Sequence, residues 1–253
     1  MLFYFTATGN SLYIAKQLCN EPVSIPQIIN RTDLTFEADQ IGIVCPIYGH
    51  EMPKMVKEFI RKATFKTDYF YIVLTYGMLH GGAAQIAEKY ARSAGKKVDY
   101  AKSIMMVDNF LPNFDMVQQC AIDKKIPENL AVIKADVAAR KRQIEKAGFK
   151  NRMIHKGYVA MVKGQDETVW AKFKVEDTCV LCGTCQKVCP AGAIRLADTK
   201  AQHTMVDCQA CYACVHACPK KAIGFTIPEK NPNARYRNEN ISLDEIVKAN
   251  NQN

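Results

Sequence analysis

No run in the chain approaches the ~18 consecutive apolar residues of a membrane-spanning helix. Met1-Leu2-Phe3-Tyr4-Phe5 lacks the basic flank and apolar length of a secretory leader, so a soluble cytoplasmic protein is expected. There is no Gly-x-Gly-x-x-Gly fingerprint, which argues against an NAD(P)H site in this chain. The lysine of a nucleoside-triphosphate loop is missing as well. Cys-x-x-Cys-His, the haem-attachment pattern, is absent because Val215 separates Cys214 from His216. A helix-turn-helix pattern is also lacking, which counts against a nucleic-acid-binding sensor. Tryptophan occurs once, at Trp170.

Cysteine, by contrast, is in excess, with 11 among 253 residues. Cys19, Cys45 and Cys120 stand alone and read as small buried hydrophobes; the rest fall between Cys179 and Cys218. An odd count packed into one stretch argues against a disulfide scaffold and for a reducing compartment. The apolar fraction of 48% suffices for a core, and the length allows one large domain or two smaller ones.

Up to Pro112 the chain alternates strand and helix patterns, which predicts a parallel α/β sheet. Leu2 to Phe5, Ile41 to Cys45, Tyr69 to Leu74 and a part of Val98 to Val107 read as strands, with Val23 to Ile25 as a further candidate. Leu12, Ala15, Leu18 and Cys19 recur at helical spacing, as do Val56, Phe59, Ile60 and Ala63 behind Pro53. Ala83, Ala87, Tyr90, Ala91 and Ala94 mark a third buried face, capped by Gly95. Pro127 to Gly148 reads as a last helix. Residues 151–172 show no clean period and read as a connector, 173–227 form a cysteine-rich unit, and 228–253 a polar tail with a short helix from Asp244 to Ala249.

Cys179-x2-Cys182-x2-Cys185-x3-Cys189-Pro190 is repeated as Cys208-x2-Cys211-x2-Cys214-x3-Cys218-Pro219. Three thiolates at intervals of three residues can wrap one corner of an iron–sulfur cubane. The fourth, before proline, is turned away from its own triplet and reaches the other cluster. Cys179, Cys182, Cys185 and Cys218 are thus expected on one [4Fe–4S] cluster, and Cys208, Cys211, Cys214 and Cys189 on the second. Structural zinc uses separated ligand pairs and needs neither the third cysteine nor the proline. His203 and His216 read as solvent or packing residues.

Thr6-Ala7-Thr8-Gly9-Asn10-Ser11 lies between the first strand and the first helix. A helix N-terminus offers free amides and a positive dipole end, and Thr6, Thr8 and Ser11 add hydroxyl donors. This pattern resembles the flavodoxin phosphate loop. Pro46-Ile47-Tyr48-Gly49, Thr75-Tyr76-Gly77, Gly81-Gly82 and Asp108-Asn109-Phe110 would join it at or beyond the carboxyl ends of strands. In the flavodoxin-like order 2-1-3-4-5, FMN sits at the switch point there. Tyr48 and Tyr76 are the candidates for stacking on the flavin ring, while His80-Gly81-Gly82 departs from the familiar third-loop pattern.

Residues 1–150 therefore resemble a doubly wound flavodoxin-like domain, and 173–227 a small α+β ferredoxin with two clusters. The combination is similar to the flavodoxin–ferredoxin fusions called EFR1 family ferrodoxins, which carry a tail like Arg235-Tyr236-Arg237-Asn238. The resemblance implies an electron carrier of anaerobic metabolism that joins FMN to two [4Fe–4S] clusters and couples one- and two-electron partners. The alternative is a flavin-dependent reductase of a quinone, nitro compound or other small acceptor, with His50, Glu51, His80 and Asp108 as proton donors. Two clusters and a flavin phosphate would bring the formal charge of +9 down to about +3, which weakens the case for nucleic acid. Eight Lys and Arg from Lys134 to Lys156, including Arg140-Lys141-Arg142, read as a solvated helix face and its basic end. The second reading of that run is docking to an acidic redox partner protein.

Overall fold

Strands buried on both faces are continuous apolar runs, and the two longest here are of that kind. In a computed structural model, which describes residues 1–163, 172–204 and 207–252, they are β4 (Gln40–Pro46) and β6 (Tyr69–Tyr76). Around them lie β1 (Leu2–Tyr4), β2 (Val23–Ser24), β7 (Tyr100–Met105) and β8 (Gln143–Ile144). The sheet order is β2-β1-β4-β6-β7-β8, and every pair is parallel. The chain thus starts near the middle, steps outward to β2, then returns past β1 to build the other side. Helices α1 (Asn10–Leu18), α3 (Lys54–Lys62), α4 (Ala83–Ser93) and α6 (Ile126–Ala138) supply the crossovers. Two shorter helices, α2 (Ile25–Ile28) and α5 (Met116–Ala121), come after β2 and β7.

Local chemistry sets the ends of these helices. Pro53 precedes the first residue of α3, where its missing N–H costs nothing. Gly95, at φ +75°, closes α4: Lys96 N–H reaches the Ala91 carbonyl at 2.8 Å and Gly95 N–H the Arg92 carbonyl at 3.0 Å. The expected helix from Pro127 to Gly148 is shorter than its pattern suggested. It stops at Ala138 because Arg140 takes the left-handed position at φ +49°, with Lys141 N–H bonding the Asp136 carbonyl at 2.9 Å. The Arg140-Lys141-Arg142 run is therefore a turn leading into edge strand β8.

Further elements escaped the sequence pattern. β3 (Thr35–Glu37) and β5 (Thr64–Lys66) pair in parallel beside the main sheet. Their Phe36 and Phe65 rings join Phe3 and Phe59, with Phe3 and Phe36 centroids 4.6 Å apart. Helix α7 (Phe149–Val162) occupies much of the segment expected to be a connector; Trp170 lies outside the described residues. Of the three lone cysteines, Cys45 is buried as expected, whereas Cys19 is half-buried and Cys120 exposed.

The cysteine-rich part is α+β. β9 (Phe173–Val175) pairs antiparallel with β12 (Ile223–Phe225), and β10 (Ile194–Leu196) with β11 (Ala201–His203). Short helices α8 (Thr184–Lys187) and α9 (Ala213–Ala217) carry the third cysteine of each motif, and α10 (Leu243–Asn250) ends the tail behind a Ser242–Glu245 capping box. By contacts the chain forms two units that do not follow chain order. One contains the parallel sheet and α7; the other takes Thr6–Asn10, Val107–Asp123 and the chain from Phe173 onward. Its core joins Leu111, Met116, Val215, Ile223 and Phe225.

Within the sheet, Gly42 on β4 faces Tyr71 on β6, and a β-carbon at Gly42 would collide with the buried phenol ring. Gly42→Ala should therefore lower stability by about 1–3 kcal/mol, the usual cost of overpacking. Urea unfolding checks this, and the cost of Gly42→Ala should largely vanish when it is measured in a Tyr71→Ala background.

Candidate metal centre and anion loop

The two cysteine loops share a backbone. Leu181 and Ala210, each just before the second cysteine of its motif, are left-handed at φ +55° and +47°. So are Gly183 (+73°) and Tyr212 (+63°), each just after it. Glycine adopts that conformation freely, whereas tyrosine is strained there by roughly 1–3 kcal/mol. Ring packing holds Tyr212 in place: it stacks on Phe110 at 5.5 Å and meets Phe225 edge-on at 5.0 Å. The repeat extends to the fourth cysteines. Ala193 N–H bonds the Cys189 sulfur and Ala222 N–H the Cys218 sulfur, each at 3.2 Å.

The structure places the sulfurs in two sets that cross the motifs. Cys218 joins Cys179, Cys182 and Cys185 around one cavity, lined also by Gly183 and Pro219. Cys189 lies within electrostatic reach of Cys208, Cys211 and Cys214. Burial pushes the Cys185 and Cys208 thiols up to about 11, and those of Cys211 and Cys214 higher still. Cys182 is instead held below the usual thiol value by the Thr184 hydroxyl and amide. Thiols buried in this way ionise only if a cation shares the site. Among the described residues, no group of three or more His, Cys, Asp or Glu is arranged to hold a single metal ion. Four sulfurs around a cavity suit a larger polynuclear core.

The loop Thr6–Asn10 belongs to this same unit. Thr6 is 1% exposed, yet among the described residues its hydroxyl has no hydrogen-bond partner. The Thr8 hydroxyl accepts from Asn109 Nδ2 at 3.0 Å, which leaves its own proton to donate. The Asn10 side chain is occupied within the chain: Nδ2 donates to the Val107 carbonyl (3.1 Å), and Oδ1 accepts from Tyr236 (2.6 Å) and Asn238 (3.2 Å). Gly9 stands at φ +99°, where a β-carbon would lie 3.1 Å from Asn238 and Ile241. Of the other loop residues in this unit, Asp108 accepts from Phe110 N–H at 3.1 Å, and Phe110 enters the cysteine unit's core. His216 is buried, bonded through Nε2 to the Asn109 carbonyl at 2.8 Å and through Nδ1 to Tyr236 N–H at 3.0 Å. The local sequence left His216 as a solvent or packing residue and gave no sign of its partners.

In the sheet unit, Ser11 and Thr75 share a hydroxyl–hydroxyl bond of 2.8 Å. Pro46 ends β4, and Ile47 N–H bonds the Thr75 carbonyl at 3.0 Å. Tyr48 and Glu51 close a turn in which Gly49 and His50 are both left-handed, at φ +56° and +70°. Tyr76 packs on His80 at 5.2 Å, Gly77 follows β6, Gly81 lies against the His50 ring, and Gly82 caps α4. Helix α7 adds three residues the sequence did not single out. Asn151 Nδ2 donates to His80 Nε2 (2.9 Å), His155 and His50 meet through their Nδ1 atoms (3.3 Å), and Tyr158 covers Gly49. Asn151, Ile154, His155 and Tyr158 recur at helical spacing, the one signal that could have revealed this face. Glu51 is paired with Lys57 at 2.8 Å.

Comparison with known proteins places residues 171–219 in the 4Fe-4S dicluster domain family. Over 61 residues the chain is 46% identical to a subunit of the ion-translocating oxidoreductase complex of Methanosarcina acetivorans, a stretch that covers 24% of this chain and 22% of that protein. Over 74 residues it is 32% identical to "Putative electron transport protein YsaA" of Escherichia coli K12, covering 26% and 47%. The matched stretch spans less than half the length of either relative. The chain therefore contains a dicluster 4Fe-4S ferredoxin domain.

Burial first, then the neighbouring His155 and His80, holds the His50 imidazole below its ordinary value of 6.5. The folded chain thus takes up this proton at lower pH than the unfolded chain. The associated stability is complete above about pH 6.5 and is lost as pH falls through the folded value. His50→Gln should flatten the fall in the urea midpoint between roughly pH 7 and pH 5. An unchanged slope would contradict that account of the histidine group.

Proposed function

We propose that the chain is an electron-transfer protein that joins two [4Fe–4S] clusters to a bound FMN. The observation that carries the cluster half is the crossed grouping of the sulfurs. Cys179, Cys182, Cys185 and Cys218 are assigned to one cluster, and Cys208, Cys211, Cys214 and Cys189 to the other. Amide hydrogen bonds to Cys189 and Cys218 stabilise thiolate charge, as cluster ligands require. Each cluster carries one electron at a time, and the relatives' names point to the same role.

The flavin half rests on the flavodoxin-like reading of the parallel sheet and on the loop after β1. A buried Thr6 hydroxyl with no hydrogen-bond partner among the described residues, the donor proton of Thr8 and the Asn10 backbone N–H are donors suited to a dianionic phosphate. By the flavodoxin-like resemblance, Ser11, Pro46 to Gly49, Thr75 to Gly77, Gly81, Gly82 and Asp108 to Phe110 are the proposed contacts for the flavin. When bound, FMN supplies the exchange between one- and two-electron chemistry. The role of the protein is to bind and orient. The imidazoles of His50, His80 and His155 favour a second reading, in which a small acceptor is reduced beside proton donors.

Anaerobically isolated protein should contain about eight iron and eight sulfide per chain. It should bind FMN more tightly than riboflavin, and Thr8→Ala should weaken FMN by roughly tenfold while sparing riboflavin. Zinc without acid-labile sulfide would contradict the cluster half. Equal losses for the two flavins would place the phosphate elsewhere. Steady turnover of a quinone or nitro compound would favour the reductase reading.

A further inference from the structure

The loop Thr6–Asn10 is short and has few side chains of its own to fix its shape, so its partners decide where its amides point. Asn10 uses both ends of its amide on the rest of the chain, leaving only its backbone N–H for a ligand. The Thr8 carbonyl is held by Asn238 N–H at 2.8 Å, and the Thr6 carbonyl by Asn250 Nδ2 at 3.0 Å. Much of what fixes these five residues thus comes from the C-terminal tail. The tail is fastened to the cysteine motifs in turn. Asn250 Nδ2 also lies 3.2 Å from the carbonyl of Val188, next to Cys189. His216, on the short helix between Cys214 and Cys218, binds Tyr236 through one ring nitrogen and Asn109 through the other. Asn109 then orients the Thr8 hydroxyl.

We infer that Tyr236, Asn238 and His216 are positioning residues for the anion loop, so that the C-terminal tail is a working part of the phosphate site. The inference rests on the FMN reading above. Tyr236 Oη and Asn238 Nδ2 converge on one atom, Asn10 Oδ1, and so set the plane of that amide and the turn at Gly9. At φ +99°, and with Asn238 and Ile241 3.1 Å from where a β-carbon would sit, Gly9 is packed tightly against the tail. His216 has one available arrangement: Nε2–H donates to Asn109, and Nδ1 accepts from Tyr236. Both bonds need the neutral ring in that tautomer. The loop's hydroxyl and amide donors are therefore aimed by residues more than 200 positions away in sequence, at Tyr236 and Asn238.

The test uses the full-length protein with its clusters in place, titrated anaerobically with FMN and with riboflavin. Tyr236→Phe deletes one hydroxyl and keeps the ring; Asn238→Ser and His216→Gln probe the other two positions. Each should raise the FMN dissociation constant by roughly three- to tenfold and leave riboflavin nearly unchanged. For Tyr236→Phe, iron content and the cluster absorption spectrum should remain those of the wild type. Lys248→Ala, an exposed position on α10, serves as the control and should behave as wild type. A wild-type FMN-to-riboflavin ratio in Tyr236→Phe and Asn238→Ser would overturn the inference while leaving the FMN reading intact. A wild-type protein that binds both flavins equally, or neither, would overturn the FMN reading and the inference with it.

Discussion

Burial of sulfur is the constraint on which the cysteine unit depends. Cys185, Cys189, Cys211 and Cys214 lie in the interior of a small unit whose strands are three residues long. As neutral thiols these side chains act as small hydrophobes; as thiolates they demand a cation, and a metal core then becomes the centre of the fold. In the proposed assignment the fourth cysteine of each motif crosses to the other, so each cluster would tie the two halves of the unit together.

The rest of the unit is arranged to keep those sulfurs in place. Tyr212 accepts a left-handed backbone because its ring is clasped by Phe110 and Phe225. Phe110 arrives from the segment that follows β7, and Asn109 beside it is bonded to His216. The residues that leave the parallel sheet after β1 and β7 are therefore packed with the cysteine motifs instead of the strands they follow.

Much of this was legible in the sequence where the information is local or covalent. The cysteine spacings repeat residue for residue, and a buried parallel strand such as Tyr69–Tyr76 cannot avoid reading as an apolar run. What stayed hidden depends on distant partners. Helix α7 half-buries a face made of Asn151, Ile154, His155 and Tyr158 while exposing Phe149, Met153 and Met161, so its apolar pattern points the wrong way. The end of α6 was obscured because arginine, not glycine, occupies its left-handed cap. Neither Asn10 nor His216 announces its partners, since Tyr236 and Asn109 are remote in sequence and hydrogen bonding has no periodicity.

The central claim, that the two sulfur sets cross between motifs, is tested most directly by pairing substitutions and counting iron. Under the crossed arrangement, Cys182→Ala with Cys218→Ala removes two ligands from one cluster and leaves the other whole. The anaerobic protein should then retain about four iron and the spectrum of one intact cubane. Cys211→Ala with Cys218→Ala, by contrast, damages both clusters and should leave neither spectrum intact. The reverse result, an intact cluster in the second double variant and none in the first, would contradict the account and make each motif a self-contained metal loop.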